Sequence, residues 1–129
     1  MYRNSVRLDG VRRQVEEART ALLQSAERAA LGDFDMSYRT ALASRNQLFH
    51  ATRALAAARH ETMPEMPVTG LPGGSFADYL AARAQLDAAL AMRDDITMVS
   101  PLAAARAPYA RYLGWLRDEL GRLLHPPTA

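Results

Sequence analysis

The stretch RNQLFH, residues 45 to 50, gathers the residue types that could do chemistry. Arg45 offers a fixed, always-charged fork for an anion. Asn46 adds a polar group beside it, and His50 brings an imidazole, the side chain suited to passing a proton. An anion holder plus a proton carrier is the set needed for acid–base work on a phosphate ester without a metal. Helix geometry tests whether the set is assembled. Five residues of helix turn through roughly 500°, so Arg45 and His50 point about 140° apart. Arg45 lies seven after Tyr38 and four before Phe49, on or beside an apolar stripe. An Arg there needs a partner: Asp78, Asp87 or a second subunit. His50 belongs to another face, where Arg39, Asn46, His50, Arg53 and His60 recur at helical offsets. That stripe reads either as an anion-binding surface, for RNA, a phosphate or an acidic partner, or as a solvated helix face.

Other chemistries find no residues. There is no Cys, which removes disulfides, thiolate zinc sites and a Cys nucleophile. A di-iron bundle needs Glu-x-x-His pairs on facing helices, and none occurs. Asp94 and Asp95 are adjacent in a connector rather than spaced as an acid–base pair, and the Gly-rich LPGG lacks the Lys of a phosphate loop. No Ser sits in a recognisable elbow. No metal and no cofactor is expected.

The elements that must carry these residues follow from period and punctuation. The chain has 129 residues, 49% of them apolar, a net charge of +2, and 16 basic residues that are all Arg. A GC-rich genome gives that bias. A length of this order suits one domain with a real core. Val11, Val15, Ala18, Leu22, Ala26 and Ala29 make one stripe, predicting a helix over 9–30. Gly32 stops it, and Asp33 or Asp35 restarts the chain into a helix over 35–59, an antiparallel hairpin partner. The loop 60–74, HETMPEMPVTGLPGG, is long for a small domain; Met63 and Met66 in it read as tucked apolar residues. A third helix over 75–93 opens at Ser75, with Asp78 completing a capping-box variant. A fourth over 101–124 opens at Ser100 and Pro101, and Pro108 should kink or divide it. Tyr109 and Tyr112 keep the core period, whereas Trp115 is placed less clearly. The expectation is an all-α, up-down-up-down four-helix bundle, a single domain over 1–129. The start, MYRNSVRLDGVRRQ, lacks the apolar core of a signal peptide, and no run approaches about 20 apolar residues. A cytoplasmic protein off the membrane is expected.

The first hairpin, EEARTALLQSAERAALGDFDMSYRTALASRNQLFHATRALAAAR, resembles the HEPN superfamily of small helical bundles, bacterial members above all. The shared features are Ala and Leu at helical spacing, a Gly-Asp-aromatic turn, and then a Tyr on a long Ala-rich helix. The resemblance extends to the four-helix layout and implies a homodimer. In nuclease members an Arg holds the scissile phosphate while a His assists the 2′-hydroxyl attack, and the motif sits near the start of the last helix. At that place this chain has RDDITM: Arg93 and Asp94 fit, but Met98 stands where the His should be. The resemblance therefore implies a non-nuclease member, a small binding module for a protein or RNA partner. Its alternative is a metal-independent endoribonuclease, the toxin of a toxin–antitoxin pair, acting through Arg45, Asn46 and His50. A second alternative rests on LFHATRALAAA, which is similar to the segment around the phosphocarrier His of histidine phosphotransfer domains. There His50 would carry phosphate and Arg53 the cation, with Ala54 replacing the usual Gly.

Overall fold

The computed structural model describes the backbone of residues 2–62 and 73–124, and the side chains of 8–59 and 74–124. It is all-helical over these residues: α1 (Tyr2–Ala30), α2 (Phe34–Thr62), α3 (Gly73–Ala91), a short 3-10 turn (Ile96–Met98) and α4 (Val99–Leu124). None of the described helices is long and apolar enough to cross a membrane.

The turn between α1 and α2 shows how local chemistry sets the first hairpin. Gly32 takes a φ of 83°, a conformation that costs an L side chain but not glycine. Its N–H reaches the carbonyl of Ala29 at 3.1 Å, and the N–H of Asp33 reaches that of Arg28 at 2.9 Å. This pair of bonds satisfies carbonyls left free at a helix end. Asp33 then caps α2, its carboxylate accepting the N–H of Met36 at 3.3 Å. Asp35, the other candidate, lies within the first turn and pairs with Arg39 at 3.1 Å. Just beyond the turn, Ser25 and Ser37 each donate to the other's carbonyl at 2.6 Å. Further out, Ser44 donates to the carbonyl of Ala18 at 2.5 Å. The paired positions step away from the turn together, so α1 and α2 run antiparallel in close contact.

Several expected boundaries shift. The helix expected over 9–30 begins instead at Tyr2, because nothing in YRNSVRL breaks a helix and Leu8 extends the buried stripe. The helix expected over 35–59 runs to Thr62, so the first residues of the 60–74 loop are helical; ARHET contains no breaker. Residues 63–72, with Met63 and Met66, lie outside the described residues. α3 opens at Gly73, which puts Ser75 inside its first turn, and Asp78 turns to Arg111 at 3.3 Å instead of completing a cap. α3 also stops at Ala91, short of Arg93; Asp94 takes a φ of 59°, outside any right-handed helix. Asp95 caps the 3-10 turn, accepting the N–H of Thr97 at 3.0 Å. α4 follows that turn directly from Val99, so Ser100 and Pro101 lie within its first turn. Pro108 does not divide α4. Its missing N–H frees the carbonyl of Ala104, an exposed residue that water can serve.

One core cluster draws on all four helices, with Val15, Leu22, Leu48, Leu55, Leu86, Leu102, Leu116 and Leu120 among its members. Each such side chain contributes roughly 1.5–3 kcal/mol when fully buried. α1 packs most extensively on α2, and α3 on α4; α1 lies against α4, while α2 meets α3 only lightly.

Candidate functional site: the groove between α2 and α3

The light α2–α3 contact leaves a groove of about 220 Å³, lined by Arg45, Asn46, Phe49, Tyr79, Arg83 and Leu86. On α3, Phe76, Leu80, Arg83 and Asp87 recur at helical spacing and so share one face. Phe49, Phe76 and Leu80 are large apolar residues left 40–48% exposed. The Phe76 ring leans on Tyr79 at 6.3 Å, which leans on Tyr112 at 5.1 Å, which stacks on Trp115 at 5.8 Å. A row of aromatic rings thus runs from exposed Phe76 through Tyr79, which lines the groove, to the buried Tyr112 and the half-buried Trp115.

Of the candidate residues Arg45, Asn46 and His50, the groove takes the first two but not His50. The Nε of Arg45 sits 2.7 Å from Asp87, so this half-buried cation is already partnered. Asp87 was one of the three partners open to it; Asp78 is engaged elsewhere. His50 is exposed, its ring edge-on to Phe49 at 5.9 Å. Within this chain, then, the phosphate holder is neutralised and the proton carrier stands outside the groove. Arg53 spreads over the Phe49 ring at 5.6 Å. Such contacts contribute about 0.5–1 kcal/mol where exposed. Arg39 is exposed and paired with Asp35. The side chain of His60 lies outside the described residues. Arg39, Asn46, His50 and Arg53 do share the solvent side of α2, as the spacing predicts.

RDDITM does not build a site. Arg93 lies over the Tyr38 ring at 4.7 Å and pairs with Asp94 at 3.4 Å. Met98 is fully buried in the core. Among the described residues no group of His, Cys, Asp or Glu could hold a metal ion.

Tyr109 and Tyr112 are core residues, both fully buried. The Tyr109 hydroxyl donates to the Ser44 carbonyl at 2.8 Å and also meets the Ser44 hydroxyl. The Tyr112 hydroxyl meets that of Thr52 at 2.9 Å. Burial pushes the Tyr109 phenol well above its ordinary range, partly opposed by the Ser44 bond. Burial likewise pushes Tyr112 up to about 12, against the pull of Thr52 and with help from Tyr79.

Phe49 reads in the sequence as a core residue, yet it stands nearly half exposed. It lies about 100° around the helix from the fully buried Leu48, at the edge of the stripe. Arg83 is a groove residue that the sequence left unmarked; Phe76 and Leu80, exposed on the same face of α3, share with it only the four-and-three spacing. No protein-family model matches this chain, and neither a curated protein nor a solved structure is similar to it.

Proposed function

We propose that this protein is a binding module, an up-down-up-down bundle of HEPN-like, non-nuclease type, whose α2–α3 face engages a polypeptide partner. One observation carries the reading: Phe49 lies exposed in a groove that Arg83 also lines, with Arg53 over the Phe49 ring and with Phe76 and Leu80 exposed on the same face of α3 as Arg83. Exposed apolar residues grouped on one face and rimmed by charge mark interaction sites. The rim selects a segment with apolar anchors and flanking carboxylates. The Arg45–Asp87 pair supports a non-catalytic role, since it occupies the cation that a nuclease would aim at phosphate. In this reading the protein is cytoplasmic and acts as a homodimer or with one protein partner.

RNA is the second reading, favoured by Phe49 standing between His50 and Arg53. An aromatic ring flanked by an imidazole and a guanidinium is a stacking platform for an unpaired base. A photoreactive residue in place of Leu80, with Asp118 as the control position, separates the readings in cells of the source organism. The polypeptide reading expects a discrete adduct from position 80 only, lost with Phe49→Glu; an adduct of twice the chain mass identifies the homodimer. Absence of any adduct, or equal adducts from both positions, would overturn it. RNA cross-linked at position 80 would establish the second reading. Cleavage of RNA in EDTA that vanishes with His50→Ala would instead restore the toxin-type endoribonuclease.

A further inference from the structure

A second groove lies on a different side of the molecule, between α1 and α4. Its main part has a volume of about 330 Å³ and is lined by Arg19, Leu22, Leu23, Arg106, Ala107 and Tyr109. It continues past Ala110 toward Gly114, a stretch that also uses Arg19, and ends where Arg117 pairs with Glu16 at 3.2 Å. From Ala103 to Gly114 the α4 wall spans twelve residues, about 16 Å of helix. Over that length Ala103, Ala107 and Ala110 offer nothing beyond Cβ to fill the trough. The floor is apolar: Leu22 is buried, and Tyr109 has its hydroxyl committed to Ser44. Leu23 is 41% exposed at the rim.

The charge on this groove is unbalanced. Arg19 and Arg106 stand on opposite walls, and neither makes an ion pair among the described residues. Glu16, three residues before Arg19 and so on the same face of α1, is taken by Arg117. Two unpaired guanidiniums over an apolar trough call for an occupant bringing both apolar surface and carboxylates.

We propose that the α1–α4 groove docks an amphipathic helix of a second protein, apolar on its inner face and acidic along its flanks. Both walls are helices, whose backbone groups are bonded within themselves. An extended peptide lying there would leave its own N–H and C=O groups without protein partners; a helix brings its backbone already satisfied. A trough of about 16 Å accepts three turns of such a helix. The occupant is independent of whatever binds the α2–α3 face.

The test uses a synthetic, lactam-stapled 14-residue helix, with Leu at every third or fourth position and Glu on both flanks. A twin peptide carries Arg in place of each Glu. The expected result is that the acidic peptide shifts the amide resonances of Ala103, Ala107 and Ala110 in the full chain. Arg19→Glu combined with Arg106→Glu weakens that binding at least tenfold and turns the preference toward the basic twin. Both arginines are exposed, so the variant should fold, and circular dichroism checks this. Ala107→Leu, which fills the trough without altering charge, abolishes binding of both peptides. The proposal fails if millimolar acidic peptide shifts no groove resonance, or if both peptides bind the native chain equally. It also fails if the shifts appear at Phe49, Leu80 and Arg83 instead. A native dimer that Ala107→Leu dissociates would name a second copy as the occupant and overturn the acidic partner.

Discussion

Raising the pH should unfold this protein through its two buried tyrosines, with a slope that can be worked out beforehand. Tyr109 and Tyr112 hold their protons more tightly in the folded chain than the ordinary value of 10.0. Their contribution to stability is therefore complete below about pH 10 and falls as pH rises, because the unfolded chain ionises first. Each tyrosine removes about 1.4 kcal/mol per pH unit while it is ionised unfolded and neutral folded. For Tyr112 that window closes near its folded value of about 12; for Tyr109 it extends higher. Two such groups give a slope of about 2.7 kcal/mol per unit and a loss of about 5 kcal/mol by pH 12. That is comparable with the whole stability of many domains, about 5–15 kcal/mol. The composition makes the experiment clean: the chain has no Lys, and Arg keeps its charge throughout this range. Urea unfolding followed by circular dichroism at several pH values above 9 reads the slope directly. Tyr109→Phe and Tyr112→Phe should each reduce it by about 1.4 kcal/mol per unit. Each substitution also loses a hydrogen bond, costing about 1 kcal/mol at neutral pH, but this displaces the curve without changing its slope. Equal slopes in the native protein and Tyr109→Phe would refute the reasoning.

Other substitutions test other joints of the structure. Gly32→Ala places a side chain at a φ of 83° and should destabilise by about 1 kcal/mol, read as a lower midpoint in urea. Leu86→Ala empties a fully buried position and should cost about 2–5 kcal/mol in the same assay. Arg45→Ala should cost less than about 1 kcal/mol, because both partners of the Arg45–Asp87 pair keep access to water. A larger loss would mean the pair is sealed off from solvent.

The helices were legible in the sequence where a stripe and a stop signal coincide. Leu22 and Val15 sit where the period puts them, and Gly32 ends α1 because only glycine takes that conformation without cost. The Ser75–Asp78 cap misled because its residue types fit both a helix start and a first turn, and the chain chose Gly73 as the start. The partner of Arg45 had three candidates, and only the rotation of α3 against α2 selects Asp87. The groove itself was hidden for a related reason. Periodicity assigns a residue to a face of its own helix, but it does not say how closely the neighbouring helix comes. Phe49 falls on the edge of the apolar stripe, and it is exposed because α3 stands off there.

That light α2–α3 contact also sets how the molecule breathes. α1 and α2 are pinned together at Ser25–Ser37 and Ala18–Ser44, while α3 rests mainly on α4. Among the described residues the seam between α2 and α3 is spanned by the Arg45–Asp87 ion pair, and just past the end of α3 Arg93 lies over Tyr38. Local opening follows the elements with the fewest buried contacts, so α3 is the least anchored unit against α2. Its amides should exchange with deuterated water faster than those in the middle of α1, before any global unfolding. Partner binding at the groove would then be visible as slowed exchange along α3, giving the seam the role of a hinge whose closure reports occupancy.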